Sequence, residues 1–571
     1  MTFKPVPLKR QTVFFYLCGI TLLALFLGAN RDLFAIPEAA HDDRLFVNLA
    51  LDLLQGHWLG DYNQYTLIKG PFFPLFMAVN NVLGFPLLVT EQVLFCLAGL
   101  AFLYALTYLY RQPRWLLILL YALYAFQPVA FSLNRTVRES LYVSLTVFVF
   151  AGGVLGMAHL LGRVPPQRTV AHAALLGLSS AAFWLTREEG VWLVPSLLLL
   201  FVMGAVSQHR QSRSLQTVLG RSRMFGLSLL LCSICVLCVA CLNYANYGVF
   251  LARSELLSNE FGAAYGSLTR VKAATWDAHI PVPHAARQQI YAQSPSFRQL
   301  QATLDDPATV KGWSSFSCPF YPSTCGDYAG GWFVWSFRDA VVRAGYTTAP
   351  RAMQFYRDLA NEVNRLCDMK QLQCTKPHTG TLPHLRLEHW QALPHSLWFG
   401  IKESVELGQL NPWSQVGPSS SDRVGSDLMA SLTRTVTTPQ MLPELPTTNE
   451  RKLGAIYAVN QVTGFLLLYT NYLALCLWCL RLAGYRVMPL TPLYAVVSSL
   501  LLAVVVRLLL LALIDVTSFP AMNLGYLAPL LPLKLLFTLL ACVDGAMALR
   551  VRLGKGDRHN ASQNEADTQT S

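Results

Sequence analysis

The chain has 571 residues, of which 53% are apolar and only 13% charged, with a formal net charge of +12. A soluble domain carries about 25% charged residues, and here the apolar residues gather in runs of about 20, long enough to cross a bilayer. These features argue against a soluble globular protein. They also argue against nucleic-acid binding, because the basic residues sit in short loops between apolar runs, where they report topology.

The first apolar run, Gln11 to Gly28, follows Lys4, Lys9 and Arg10. It is long for a signal-peptide core, and Ala39–Ala40 lie far beyond it as a cleavage site, so it reads as an uncleaved first span. Ten spans are expected, near 12–30, 87–110, 115–131, 139–161, 171–186, 190–207, 225–243, 455–480, 489–513 and 527–549. The fold class is therefore an all-α polytopic membrane protein. The stretch 71–84 is apolar but short and broken by proline, and reads as an interfacial or re-entrant helix.

With the N-terminus in the cytoplasm, the cytoplasmic segments hold Arg111 and Arg114, then Arg163 and Arg168, then Arg210, Arg213, Arg221 and Arg223. Later ones hold Arg481 and Arg486, then Arg550, Arg552, Lys555 and Arg558. Every one is basic, as the positive-inside rule requires. Counting 71–84 as an eleventh span would put Arg111 and Arg114 outside. The expected placement is a bacterial inner membrane with both termini cytoplasmic. Residues 1–243 form an N-terminal membrane module whose first external loop is 31–86. Residues 244–454 form one large periplasmic insertion of mainly helical character, 455–550 hold the last three spans, and 551–571 form a polar, disordered cytoplasmic tail. No internal repeat and no Walker-type glycine loop is visible.

Four of the thirteen cysteines lie in the insertion. Cys318–Cys325 and Cys367–Cys374 each enclose six residues and fit local disulfides, which need an oxidising compartment. Cys232, Cys235, Cys238 and Cys241 imitate an iron–sulfur run. On a helix, however, the first and last stand about half a turn apart in angle and roughly 13 Å apart along the axis, so they cannot share one metal. They read as small packing residues of a span.

The external loops collect the chemistry. They hold His41, Asp42, Asp43, Arg44 and Lys69; Arg135, Arg138 and Glu139; Arg187, Glu188 and Glu189; and Asp515. Arg507 and Lys534 lie inside the last two spans, each about two turns from the outer end. An ionisable residue within a span is costly and usually functional. Two cations at matched depth suggest an anion between helices, and a lipid phosphate fits there; snorkelling, or pairing with Asp515 or another carboxylate, is the plainer alternative.

In the first loop, HDDRLFVNLALDLLQGHWLGDYNQYTLIKGPFFPLF, two adjacent carboxylates follow directly on a span. Either suits a general base, or a metal ligand beside a phosphate. The alternative is a solvated helix N-terminus, where Asp is favoured. Lys69, pinned by Pro71, sits where a lipid phosphate lies. Arg187 and Glu188 cap a span in the plainer reading, and Tyr526 suits an interfacial belt as well as a substrate contact. In the insertion, Asp327, Trp332 and Trp335 are the acceptor or sugar candidates, with core packing the default.

Asp42–Asp43 followed by Lys69–Gly70–Pro71 and Pro74 resembles the GT-C superfamily of polyprenyl-phosphate-dependent membrane glycosyltransferases, which have an acidic pair after the first span and a Lys-Pro-Pro-like element. The specific resemblance covers residues 35–85 and is architectural elsewhere. Here the usual Asp-Glu is Asp-Asp, which leaves open which carboxylate is the base, and the insertion precedes the last three spans instead of following them. Membrane pentosyl- and arabinosyltransferases, including those acting on type IV pilins, are a subgroup the resemblance admits. It implies an inverting transfer from a polyprenyl-(pyro)phosphate sugar donor in the outer leaflet to a periplasmic glycan, lipid or protein acceptor. It also implies Asp42 or Asp43 as base, and Lys69, Arg138, Arg187, Arg507 and Lys534 around the donor phosphate. Glu139, Glu188, Glu189 and Asp515 would support them. A divalent cation, Mg or Mn, held by Asp43 with Glu188 or Glu189 is compatible with these residues, though no spacing demands it. The rivals are a lipid-linked glycan transporter or flippase, a glycan ligase or polymerase, and a non-catalytic assembly protein.

Overall fold

The protein is described by a computed structural model covering residues 9–29, 31–110, 113–273, 276–406, 420–438, 448–484 and 491–568. Arg111 and Arg486, two of the basic loop residues, lie outside this set. Among the described residues, ten helices are long and apolar enough to cross a membrane: Arg10–Gly28, Leu87–Leu109, Arg114–Ser132, Glu139–Leu160, Pro166–Thr186, Gly190–Ser212, Arg223–Tyr247, Gly464–Ala483, Pro492–Thr517 and Leu530–Leu549. The chain is an all-α, multi-pass membrane protein. The apolar stretch after Pro71 forms the twelve-residue helix Phe72–Leu83, about 18 Å long at 1.5 Å per residue and too short to span.

Two helices run past their expected ends. The eighth span is the apolar part of a 36-residue helix, Thr448–Ala483. The last is part of a 39-residue helix, Leu530–Thr568, so the tail expected to be disordered continues as helix. A span supplies the costly nucleus, and each added residue then needs only propagation.

The fourth span, Glu139–Leu160, is the hub. It is enclosed along nearly its whole length by the second, fifth and sixth spans. Small residues allow that close approach: a Cβ on Gly152 would meet Leu176 of the fifth span at 2.8 Å, and one on Gly153 would meet Leu197 of the sixth at 2.6 Å. The first span is peripheral, with Phe14, Phe15 and Phe26 exposed. Its C-terminal end is nevertheless fixed by the buried Arg31, which donates to the carbonyls of Gly28, Leu88 and Ala130 and so ties the ends of three spans together.

The insertion is helical, with Asn259–Thr269, Gly330–Arg343 and Ala349–Asp368 around a core of Phe261, Tyr265, Phe333, Phe337 and Tyr356. Both expected disulfides, Cys318–Cys325 and Cys367–Cys374, are formed. Several seams bind the insertion to the membrane module. The strand-like residues Leu33 and Thr437 bridge. Leu45, Leu49, Leu67, Ile68, Tyr247 and Ala349 share one apolar cluster. Arg338 and Glu255, both fully enclosed, form an ion pair at 2.7 Å, and Arg338 also donates to Tyr62 and to the Gln64 carbonyl of the first loop.

Removing one partner of such a pair strands the other charge, which costs about 3–5 kcal/mol. Arg338→Met is therefore expected to lower the thermal midpoint of the purified protein sharply. The double variant Glu255→Leu/Arg338→Met should recover part of the loss, which a comparison of the three melting curves will show.

Candidate active site

Asp42 and Asp43 stand at the N-terminus of the helix Asp43–Leu54, and because they are adjacent their side chains diverge. Asp43 is fully buried, accepting from Arg135 at 2.5 Å and from the Thr136 hydroxyl at 3.1 Å. Asp42 pairs with Lys69 yet keeps 41% of its side chain exposed. Lys69 is delivered by Gly70, where a Cβ would lie 2.0 Å from the Leu185 carbonyl oxygen. Only glycine lets the first external loop press against the end of the fifth span. The Lys69 ammonium also sits 4.9 Å from the Phe46 ring centre and 5.6 Å from that of Trp335.

The third external loop continues the alternation of charge. Arg138 donates to Glu188 at 2.8 Å. Arg187 pairs with Glu139 and, at 2.6 Å, with Glu189. Arg507, wholly buried in the ninth span, reaches Glu189 at 3.3 Å and the Tyr526 carbonyl at 2.9 Å. The Tyr526 ring lies 4.9 Å from the Arg187 guanidinium, so Tyr526 belongs to the cluster. Five carboxylates thus face five cations, drawn from loops far apart in sequence.

The electrostatics separate the two aspartates. Burial works to raise the Asp42 carboxyl, but the Lys69 ammonium, with help from His41 and Arg135, outweighs it and holds the group well below the usual carboxylate range. Around Asp43 burial wins over Arg135 and the carboxyl is raised. Burial likewise works to raise Glu189, but Arg187 and Arg507 bring it down to about 2. His41 is depressed by burial, with Asp42 opposing and Lys69 and Arg135 adding to the effect, which leaves it neutral at pH 7. Its ring lies 5.5 Å from Trp313, 5.7 Å from Phe316 and 5.8 Å from Trp335, forming an aromatic wall beside Asp42.

Several sequence candidates lie elsewhere. Lys534 does not join the cluster; it donates to the Ser404 carbonyl at 2.9 Å inside a separate cavity. Asp515 accepts from Ser396, Tyr321 and the Ala521 amide, and so secures the insertion on the ninth span. Asp327 is held by Arg287 at 2.6 Å and by the His284 amide within the insertion. Trp332 packs between Phe316 and Phe519. Trp335 alone of the three insertion candidates reaches Lys69. Sequence reasoning gave no role to Arg135, Trp313 or Phe316. The i, i+3 spacing of the two aromatics was the available signal, but nothing in it pointed across the chain to His41.

Among the described residues, no three His, Cys, Asp or Glu side chains converge as metal ligands. Asp43 and Glu188, the carboxylates considered for a cation, are each engaged by an arginine instead. The donor set does not fit a divalent ion, and no step is routed through one.

No family model and no curated protein matches this chain. Two solved structures align with it: ArnT from Cupriavidus metallidurans in the apo state and ArnT from the same organism bound to undecaprenyl phosphate. Each is 12% identical with a TM-score of 0.29; they cover 92% and 93% of this chain and 77% and 78% of their own. At that score the likeness extends to neither site nor substrate.

Because Lys69 is the largest influence lowering Asp42, Lys69→Met leaves burial less opposed. The Asp42 carboxyl is then expected to rise. Its ion pair is at full strength in and above the ordinary carboxylate range and is lost only in stronger acid. In the variant, the Asp42 contribution to the infrared carboxylate band, isolated by difference against Asp42→Asn, should therefore be lost at higher pH than in the parent.

Proposed function

We propose that the protein transfers a sugar, with inversion, from a polyprenyl-(pyro)phosphate donor to a periplasmic acceptor. The observation that carries this reading is the division of labour in the acidic pair: Asp42 is ionised and open beside a lysine and an aromatic wall, while Asp43 is sealed behind Arg135. An open carboxylate next to a cation suits an acceptor hydroxyl on one side and a leaving phosphate on the other.

In this mechanism Asp42 takes the proton from the acceptor hydroxyl. The freed oxygen pair attacks the anomeric carbon from the face opposite the phosphate. The carbon–oxygen bond to the carrier breaks, and the electron pair leaves on the phosphate oxygen. Lys69 and Arg135 stabilise that charge, since Arg135 keeps 37% of its side chain exposed. Arg187 and Arg507 are 2% and 0% exposed and committed to Glu139 and Glu189, so their part is to hold the framework. Trp335 and His41 flank the acceptor side, where rings suit the apolar faces of a sugar. The two disulfides and the arginines at the opposite end of the bundle support a periplasmic orientation for this face.

Asp42→Asn is expected to insert normally and to lose transfer by about 100-fold or more, the scale of a missing general base. Asp43→Asn should retain more activity but melt earlier. The test is mass spectrometry of glycoconjugates made by cells carrying each variant. Wild-type levels of product with Asp42→Asn would remove the base assignment.

A further inference from the structure

Lys534 projects into a cavity of about 210 Å³ at the same end of the bundle as the charge cluster, yet shares no lining residue with it. The walls come from three spans and are apolar: Leu123, Phe126, Leu467, Leu531 and Leu535. Among the described residues no carboxylate pairs with Lys534; its partner is the neutral Ser404 carbonyl. A second polar atom is also unsatisfied there, because the buried Gln127 Oε1 makes no hydrogen bond while its Nε2 donates to the Leu531 carbonyl. Leu119, at the rim, is 45% exposed on the outer surface of the bundle, so the cavity borders the lipid side.

A cation without a counter-ion is costly at this depth. Elsewhere in the bundle the same problem is solved by a protein carboxylate, as in Arg507 with Glu189 and Arg481 with Asp544 at 2.9 Å. Here, among the described residues, no carboxylate supplies the negative charge. We infer that the Lys534 cavity binds the headgroup of a phosphate-bearing lipid, with the ammonium on the phosphate, the chain along the leucine wall and Gln127 Oε1 accepting from a headgroup hydroxyl. Two sources share this chemistry: a polyprenyl monophosphate and an ordinary anionic phospholipid. The site is separate from the Asp42 cluster, and its occupancy does not require that any sugar be transferred.

The test is lipid binding to the purified full-length protein, counted by native mass spectrometry. Phosphatidylglycerol, a C55 polyprenyl monophosphate, phosphatidylcholine and neutral polyprenol are added separately. Lys534→Met is expected to weaken one phosphate-bearing probe by about tenfold, the scale of one charge-assisted contact, and to leave phosphatidylcholine and polyprenol unchanged. Lys534→Arg should keep binding. Leu467→Trp, which fills the cavity without touching charge, should lower binding as Lys534→Met does. Loss confined to the polyprenyl phosphate identifies the carrier as the occupant; loss of phosphatidylglycerol identifies the bulk lipid. Unchanged binding of both phosphate probes in Lys534→Met and Leu467→Trp overturns the inference. Intact transfer activity in the same variants would separate this site from the proposed reaction.

Discussion

A charge within or beside a membrane must be neutralised nearby, and that requirement organises this protein. The Asp42 end of the bundle carries ten charged side chains in one contiguous alternation, from Asp42–Lys69 through Asp43–Arg135 and Arg138–Glu188 to the Glu139–Arg187–Glu189–Arg507 chain. Most of these pairs join separate loops or spans, while Asp42–Lys69 and Arg187–Glu189 each brace a single loop. Arg135 locks the second external loop to the first, Arg187 locks the third to the second, and Arg507 draws in the ninth span. The cluster fixes the arrangement of the outer loops as much as it equips a site.

Enclosure then assigns roles. Buried pairs are rigid and unreactive, because both partners are already satisfied and water is excluded. In the proposed reaction the working groups are the members left partly open, Asp42 and Arg135, with Lys69 paired to Asp42. The insertion completes that opening from above. Its Trp335, Trp313 and Phe316 stand round His41, and its Arg253 donates to the Glu188 carbonyl at 2.7 Å while covering the Trp184 ring. The opening beside Asp42 is therefore bounded by the insertion as well as by the membrane module.

The span pattern was legible in the sequence because a bilayer imposes length and apolarity on each helix separately. The acidic pair, Lys69 and the grouping of charged loops at one face were legible for a similar reason, since topology alone brings them to one side. What the sequence withheld is pairing. Depth matched Arg507 with Lys534, but position around the helix axis sends one to Glu189 and the other to a separate cavity. Asp327 and Asp515 looked available and are satisfied by Arg287 and Ser396, partners far from any visible motif. The difference between Asp42 and Asp43 depends on Arg135, ninety-two positions away from the buried carboxylate.

The two-residue separation of Arg187 and Glu189 has a consequence for biosynthesis. As the fifth and sixth spans leave the ribosome, this loop already carries a counter-ion for its arginine, with Glu188 as a further carboxylate. Arg507 emerges more than three hundred residues later and pairs with Glu189 rather than with Asp515, the carboxylate of its own helix. Burial of the ninth span's arginine therefore rests on a carboxylate made much earlier in the chain, which ties the seating of that helix to Glu189.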